Sequence, residues 1–141
     1  MIAIACDHGG YELKQEIINY LKKEMIEYVD FGCDSIEAVN YPVYARKVAR
    51  AIVSGNCEKG ILICGTGIGI SIAANKVPGI RCALCTDCFT AEATRQHNDA
   101  NILALGGRVV GPGVAVKIVD TFLNTEFSGE ERHQRRIDMI E

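Results

Sequence analysis

The sequence predicts an α/β fold in which a five-stranded parallel sheet is covered by helices on both faces, giving three layers. Three observations predict it. Short apolar runs recur along the chain, segments with apolar residues at helical spacing separate them, and the 141 residues suffice for one full hydrophobic core without a second domain.

The run "IAIAC" (2–6) reads as the first strand. Leu13, Ile17, Tyr20 and Leu21 then recur at the spacing of one helical face. "IEYVDF" (26–31) is the second strand, Val48, Ala49, Ile52 and Val53 mark the helix that follows it, and "GILIC" (60–64) is the third strand. A helix suits 69–76, and "IRCALC" (80–85) is the fourth strand. A further helix over 88–97 precedes the fifth strand, "NILALG" (101–106). The helix over 112–124 places Val116, Val119, Phe122 and Leu123 on one stripe. The last segment, "SGEERHQRRIDMIE" (128–141), has too little apolar surface to fold alone. It is expected to be a helical tail of a single 1–141 domain, docked on the body or on a partner subunit. No internal repeat, low-complexity tract or linker divides the chain.

With 48% hydrophobic residues, 23% charged residues and a formal net charge of -3, the chain lacks the basic excess that a nucleic-acid partner demands. Its apolar runs are too short to span a bilayer. "MIAIACDHGG" has no basic lead and turns polar too early for a signal peptide, so a cytoplasmic location is expected. Seven cysteines, an odd number, several of them inside apolar runs, read as reduced thiols and not as a disulfide framework.

A doubly wound sheet binds ligands beyond the carboxyl ends of its strands. Asp7 and His8 follow the first strand, Cys64 and a glycine loop end the third, and Arg108 follows the fifth. His97 and Asn98, between the fourth helix and the fifth strand, are expected to meet them at the same rim. Asp7 also suits a helix cap, and a histidine such as His97 at a helix end is commonly a plain surface residue.

In "ILICGTGIGIS" (61–71), Gly65, Gly67 and Gly69 let the backbone approach a ligand closely, and their N–H groups form an anion site with the start of the next helix. The loop lacks the lysine of a P-loop and does not match GxGxxG. The same N–H field favours a thiolate at Cys64. A permanently bound dianion would oppose that thiolate, but an anion made during the reaction would not. A thiolate that takes a proton from carbon becomes neutral as the substrate oxygen becomes charged, so charge moves a short distance within one positive field. The Thr66 hydroxyl can add a hydrogen bond to that oxygen. A cysteine ending a buried strand is otherwise most often a small apolar residue.

Arg132 and Arg136 stand four apart in "RHQRR", on one helical face, where two guanidinium groups can grip one phosphate. Composition alone favours a solvated basic patch beside Glu130, Glu131 and Asp138. "CALCTDC" gives Cys82, Cys85 and Cys88 the spacing of an iron–sulfur run, but strand residues three apart point to opposite faces, and a cluster normally needs four ligands. The three histidines show no zinc spacing, so no metal site is expected.

"CDHGGYELK", "NYPVYA", "GILICGTGIGISIAANK", "GIRCAL", "RQHNDANILALGGRVVG" and "RHQRRI", in this order, make the chain resemble the type B ribose 5-phosphate isomerases. That family also holds allose 6-phosphate isomerase and the galactose 6-phosphate isomerase subunits. The resemblance implies a Rossmann-like sandwich, a homodimer or dimer of dimers with active sites at the subunit interface, and no metal or organic cofactor. It implies Cys64 as base and His97 as the group that opens the sugar ring. By the same resemblance Asp7 and His8 contact substrate, and the backbone of Gly65, Thr66, Gly67, Ile68 and Gly69 forms the enediolate hole. Asn98, Arg108, Arg132 and Arg136 complete the binding set, the arginines chiefly at the phosphate. Some relatives use a glutamate beyond the loop as base; here no Glu occurs between Gly65 and Glu92, which favours the thiol. The implied reaction interconverts D-ribose 5-phosphate and D-ribulose 5-phosphate. A six-carbon sugar phosphate is the alternative substrate. Retention of both Cys64 and His97 argues against a non-catalytic sugar-phosphate sensor.

Overall fold

A computed structural model describes residues 1–141. Its five strands are β1 (Ile2–Cys6), β2 (Tyr28–Asp30), β3 (Lys59–Cys64), β4 (Cys82–Leu84) and β5 (Ile102–Gly106). They form one all-parallel sheet in the order β2-β1-β3-β5-β4. Helices α1 (Tyr11–Lys23), α2 (Tyr41–Val53), α3 (Ile68–Asn75), α4 (Cys88–Asn98), α5 (Pro112–Asn124) and α6 (Glu131–Ile140) complete the chain. The predicted three-layer α/β class is the one observed.

Strand periodicity divides the core in two. Ile2, Ile4, Ile61, Ile63, Leu103 and Leu105 face α1 and α5, against Leu13, Ile17, Leu21, Ile118, Val119 and Phe122. Ala3, Ala5, Leu62, Ile102 and Ala104 face α2 and α3, against Val48, Ala49, Ile70 and Ala74. The central strands β1, β3 and β5 are therefore apolar on both faces, as a covered parallel sheet requires.

The edge strands β2 and β4 are only three residues long, shorter than the runs 26–31 and 80–85 predict, because each pairs on one side only. Beside β2, the α1 residue Lys14 is 1% exposed. Its ammonium donates to both Asp30 oxygens, at 2.8 and 3.0 Å, and to the Cys33 carbonyl at 2.6 Å, so the buried charge is fully partnered. On α5 the buried stripe is Ala115, Ile118, Val119 and Phe122, with Val116 and Leu123 only half-buried. The apolar residues there are so dense that the spacing admits more than one stripe.

Helix α6 packs on α4 and buries His133 and Ile137. Two contacts fasten it. Ser128 N–H donates to the Gln96 carbonyl at 3.2 Å, and Arg81, which also bonds the Asn98 and Asp99 carbonyls, pairs with Glu141.

Candidate active site

The loops that leave β1, β3 and β5 lie against one another at the carboxyl edge of the sheet, main chain on main chain. A Cβ on Gly107 would stand 2.5 Å from the Gly9 carbonyl oxygen, one on Gly106 2.6 Å from that of Thr66, and one on Gly9 3.0 Å from the Gly65 nitrogen. Real Cβ atoms do not sit as close to backbone as at Gly106 and Gly107, so glycine is required for packing at these two positions whether or not a ligand is bound, while at Gly9 a side chain would force the neighbouring loop to give. We expect Gly107→Ala to destabilise the chain by about 1–3 kcal/mol, the usual cost of overpacking, measurable by denaturant unfolding.

Within this frame Cys64 ends β3 and is 5% exposed. The chain reverses at Gly67, whose φ of 79° lies in the left-handed region that glycine adopts freely, and α3 begins there. The turn aims the Gly67 N–H at the thiol, donating to Cys64 Sγ at 3.1 Å. Thr66 Oγ1 accepts from the Ile68 N–H at 3.2 Å and so shapes the loop. The N–H groups of Gly65 and Thr66, outside any helix or strand, meet no acceptor within the chain. One sulfur and two unpaired donors thus share the positive end of a helix.

Asp7 is buried and caps the turn of 3-10 helix at His8–Gly10, its Oδ1 accepting from the Gly9 N–H at 2.9 Å. The neighbouring His8 ring accepts the Val39 N–H at Nδ1, 3.2 Å away, which leaves the ring proton on Nε2. Arg108 is exposed and lies over Gly65, where a Cβ would come 3.2 Å from its Nη1. Asp7, His8, Cys64, the loop 65–69 and Arg108 therefore converge at one rim.

His97 and Asn98 do not join them within one chain. Helix α4 leads into the amino end of β5, so its last turn lies at the edge of the sheet opposite Cys64. The expectation of a common rim is corrected by this connectivity. A helix between parallel strands runs antiparallel to them and delivers its final residues to the amino edge. Both side chains are exposed, and α6 sets the exposed Arg132 and Arg136 on the same side of the molecule. Arg132 pairs there with Glu130 at 2.7 Å.

Exposed apolar side chains of neighbouring elements surround the carboxyl-edge loop: Tyr41 lies against Gly69 and Leu84 against Gly67, with Ile68 and Ile72 exposed on α3 and Phe89 at the start of α4. A cavity of about 630 Å³ opens at the other edge, between the end of α3, the start of β4 and the ends of α4 and α6. Of the predicted site residues it includes only Asn98.

Cys82, Cys85 and Cys88 form no convergent group of three metal-binding side chains. Burial pushes the thiols of Cys57, Cys82 and Cys85 up from their ordinary value, and that of Cys6 to about 12, which keeps them protonated near neutral pH. Sequence reading passed over His133, because the arginines around it supplied a sufficient reason for the motif. Its place on the same helical face as Ile137, four residues on, is the signal that it faces inward.

The model of the ribose/galactose isomerase family matches residues 2–140. The chain belongs to the ribose/galactose isomerase family. A ribose-5-phosphate isomerase B of Escherichia coli is 50% identical over 139 residues, covering 99% of this chain and 93% of that protein. A putative sugar phosphate isomerase of Bacillus subtilis is 57% identical over 140 residues, with coverage of 99% and 93%. Among solved structures, a ribose-5-phosphate isomerase B of Clostridium thermocellum superposes with a TM-score of 0.97 at 58% identity, covering 99% of this chain and 93% of that one. No helix of this family member is long and apolar enough to cross a membrane.

Proposed function

We propose that this chain is an aldose–ketose isomerase that interconverts D-ribose 5-phosphate and D-ribulose 5-phosphate, with Cys64 as the base. The observation that carries the reading is the Gly67 N–H on Cys64 Sγ at 3.1 Å, inside a loop that keeps the Gly65 and Thr66 donors unpaired. In the aldose, the thiolate takes the C2 proton while the carbonyl electrons move to O1. The resulting cis-enediolate is held by the spare N–H groups. The proton returns from sulfur to C1 and the O2 proton passes to O1, giving the ketose. Names borne by the relatives support ribose 5-phosphate as substrate.

The division of the site between opposite edges supports a second copy as the missing half. A two-fold arrangement sets the carboxyl edge of one chain against the amino edge of the other, so His97, Asn98, Arg132 and Arg136 of the second copy face Cys64 of the first. The same arrangement covers Ile68, Ile72, Leu84 and Phe89, which one chain leaves exposed. His97 then assists furanose opening and the arginines hold the phosphate, positioning C2 over the sulfur.

Turnover of ribose 5-phosphate, allose 6-phosphate and galactose 6-phosphate, measured side by side, tests the substrate. The pentose phosphate is expected to have the highest kcat/KM, and a higher value for either hexose phosphate would reassign it.

A further inference from the structure

We propose that His133 is a positioning residue for His97: anchored by Ser128, its buried ring packs on the His97 ring and fixes the direction in which that ring faces the sugar. The proposal rests on the role of His97 in ring opening given above.

Four observations carry it. The His97 and His133 centroids are 4.6 Å apart with planes tilted by 39°, so one face of an otherwise exposed imidazole is covered by a second. His133 is only 7% exposed, which limits its freedom to turn away. Its Nδ1 lies 2.7 Å from Ser128 Oγ. Ser128 is itself tied at both ends, its hydroxyl accepting from the Glu130 N–H at 3.2 Å and its N–H donating to the carbonyl of Gln96, the residue before His97. One serine thus couples the backbone that carries His97 to the ring that lies on it. Ser128 Oγ and His133 Nδ1 share one hydrogen bond, in which the histidine tautomer sets which of the two donates.

The electrostatics suit a neutral support. The charged or titratable groups that face His133 are His97 on α4, and Arg132, Arg136 and Glu130 in its own segment. Burial first, then His97 and Arg132, hold the His133 imidazole below its ordinary range. A lowered histidine stays uncharged at neutral pH, so His133 places no fixed positive charge against His97. His97 can then gain and lose its own proton in the reaction. A supporting side chain without this packing leaves an exposed ring at a helix end free to rotate, and misplacement of that kind is costly in rate.

A double-mutant cycle on the full-length enzyme tests the proposal with ribose 5-phosphate as substrate. His133→Phe keeps an aromatic ring but breaks the bond to Ser128, and kcat is expected to fall by about ten- to a hundredfold while KM changes less than about threefold. In a His97→Asn background the same substitution is expected to change kcat less than about twofold, since it acts only through the ring already removed. Equal losses in both backgrounds, or no loss in the parent, overturn the proposal. If His133→Phe does not fold, Ser128→Ala is read in the same two backgrounds with the same criteria. Should His97→Asn itself leave turnover unchanged, the failure lies with the role given to His97 in the proposed function. A crippled His97→Asn beside an unaffected His133→Phe and Ser128→Ala rejects the positioning role alone.

Discussion

Cys64→Ala is expected to lower kcat for ribose 5-phosphate by about a hundred- to ten-thousandfold, the range over which a positioned general base contributes, while binding of the sugar phosphate stays within a few-fold of the parent. The two readouts separate because the sulfur and the phosphate grip are different parts of the molecule. Removing Sγ deletes the proton acceptor but leaves the Gly65 and Thr66 donors and all the arginines in place. Loss of a buried thiol also leaves a small void, so thermal unfolding must be compared in parallel to exclude collapse of the loop. Calorimetric titration of the alanine variant with ribose 5-phosphate supplies the binding half of the test. Full turnover in that variant would remove the cysteine from the mechanism, and the loop would then be a binding site alone.

Mixing two crippled variants is expected to restore activity. Cys64→Ala damages the carboxyl edge and His97→Asn the amino edge, and in the proposed two-fold dimer each site draws one edge from each chain. A mixed dimer therefore has one site carrying both lesions and one carrying neither. With equal amounts and free exchange of subunits, half the dimers are mixed, and activity should reach about a quarter of the parent level. The measurement is turnover after the two variants have been unfolded together and refolded, against each refolded alone. A mixture no more active than its components would mean that each chain builds its own site, against the separation that α4 imposes.

The sheet was largely legible because β1, β3 and β5 are covered on both faces, and only a continuous apolar run satisfies such a position. At the edges the signal weakened. Strands β2 and β4 have one neighbour instead of two, and the apolar residues beyond Asp30 and Leu84 continue into connections that the run alone cannot distinguish from strand. The loop after β3 could be read from its glycines and cysteine. The reason for Gly9, Gly106 and Gly107 could not, since it lies in contacts among three loops far apart in sequence. Placement of His97 failed for a different cause. Its chemistry suited a site, but proximity to a strand in sequence did not specify which end of that strand it approached. The direction of each helix relative to the parallel sheet settles this, and an argument from connectivity would have found it.

The fusion of those three loops has a consequence for how substrate range can drift. Cys64, the proposed base, is embedded where a Cβ added at Gly106 or Gly107 pushes one main chain off another, so that half of the proposed site tolerates little change. Arg132 and Arg136, proposed to hold the phosphate, stand instead on α6, which buries only His133 and Ile137, and modest alterations there can shift their reach. Adaptation to longer or shorter sugars should accordingly accumulate in the last dozen or so residues, leaving the chemistry itself untouched.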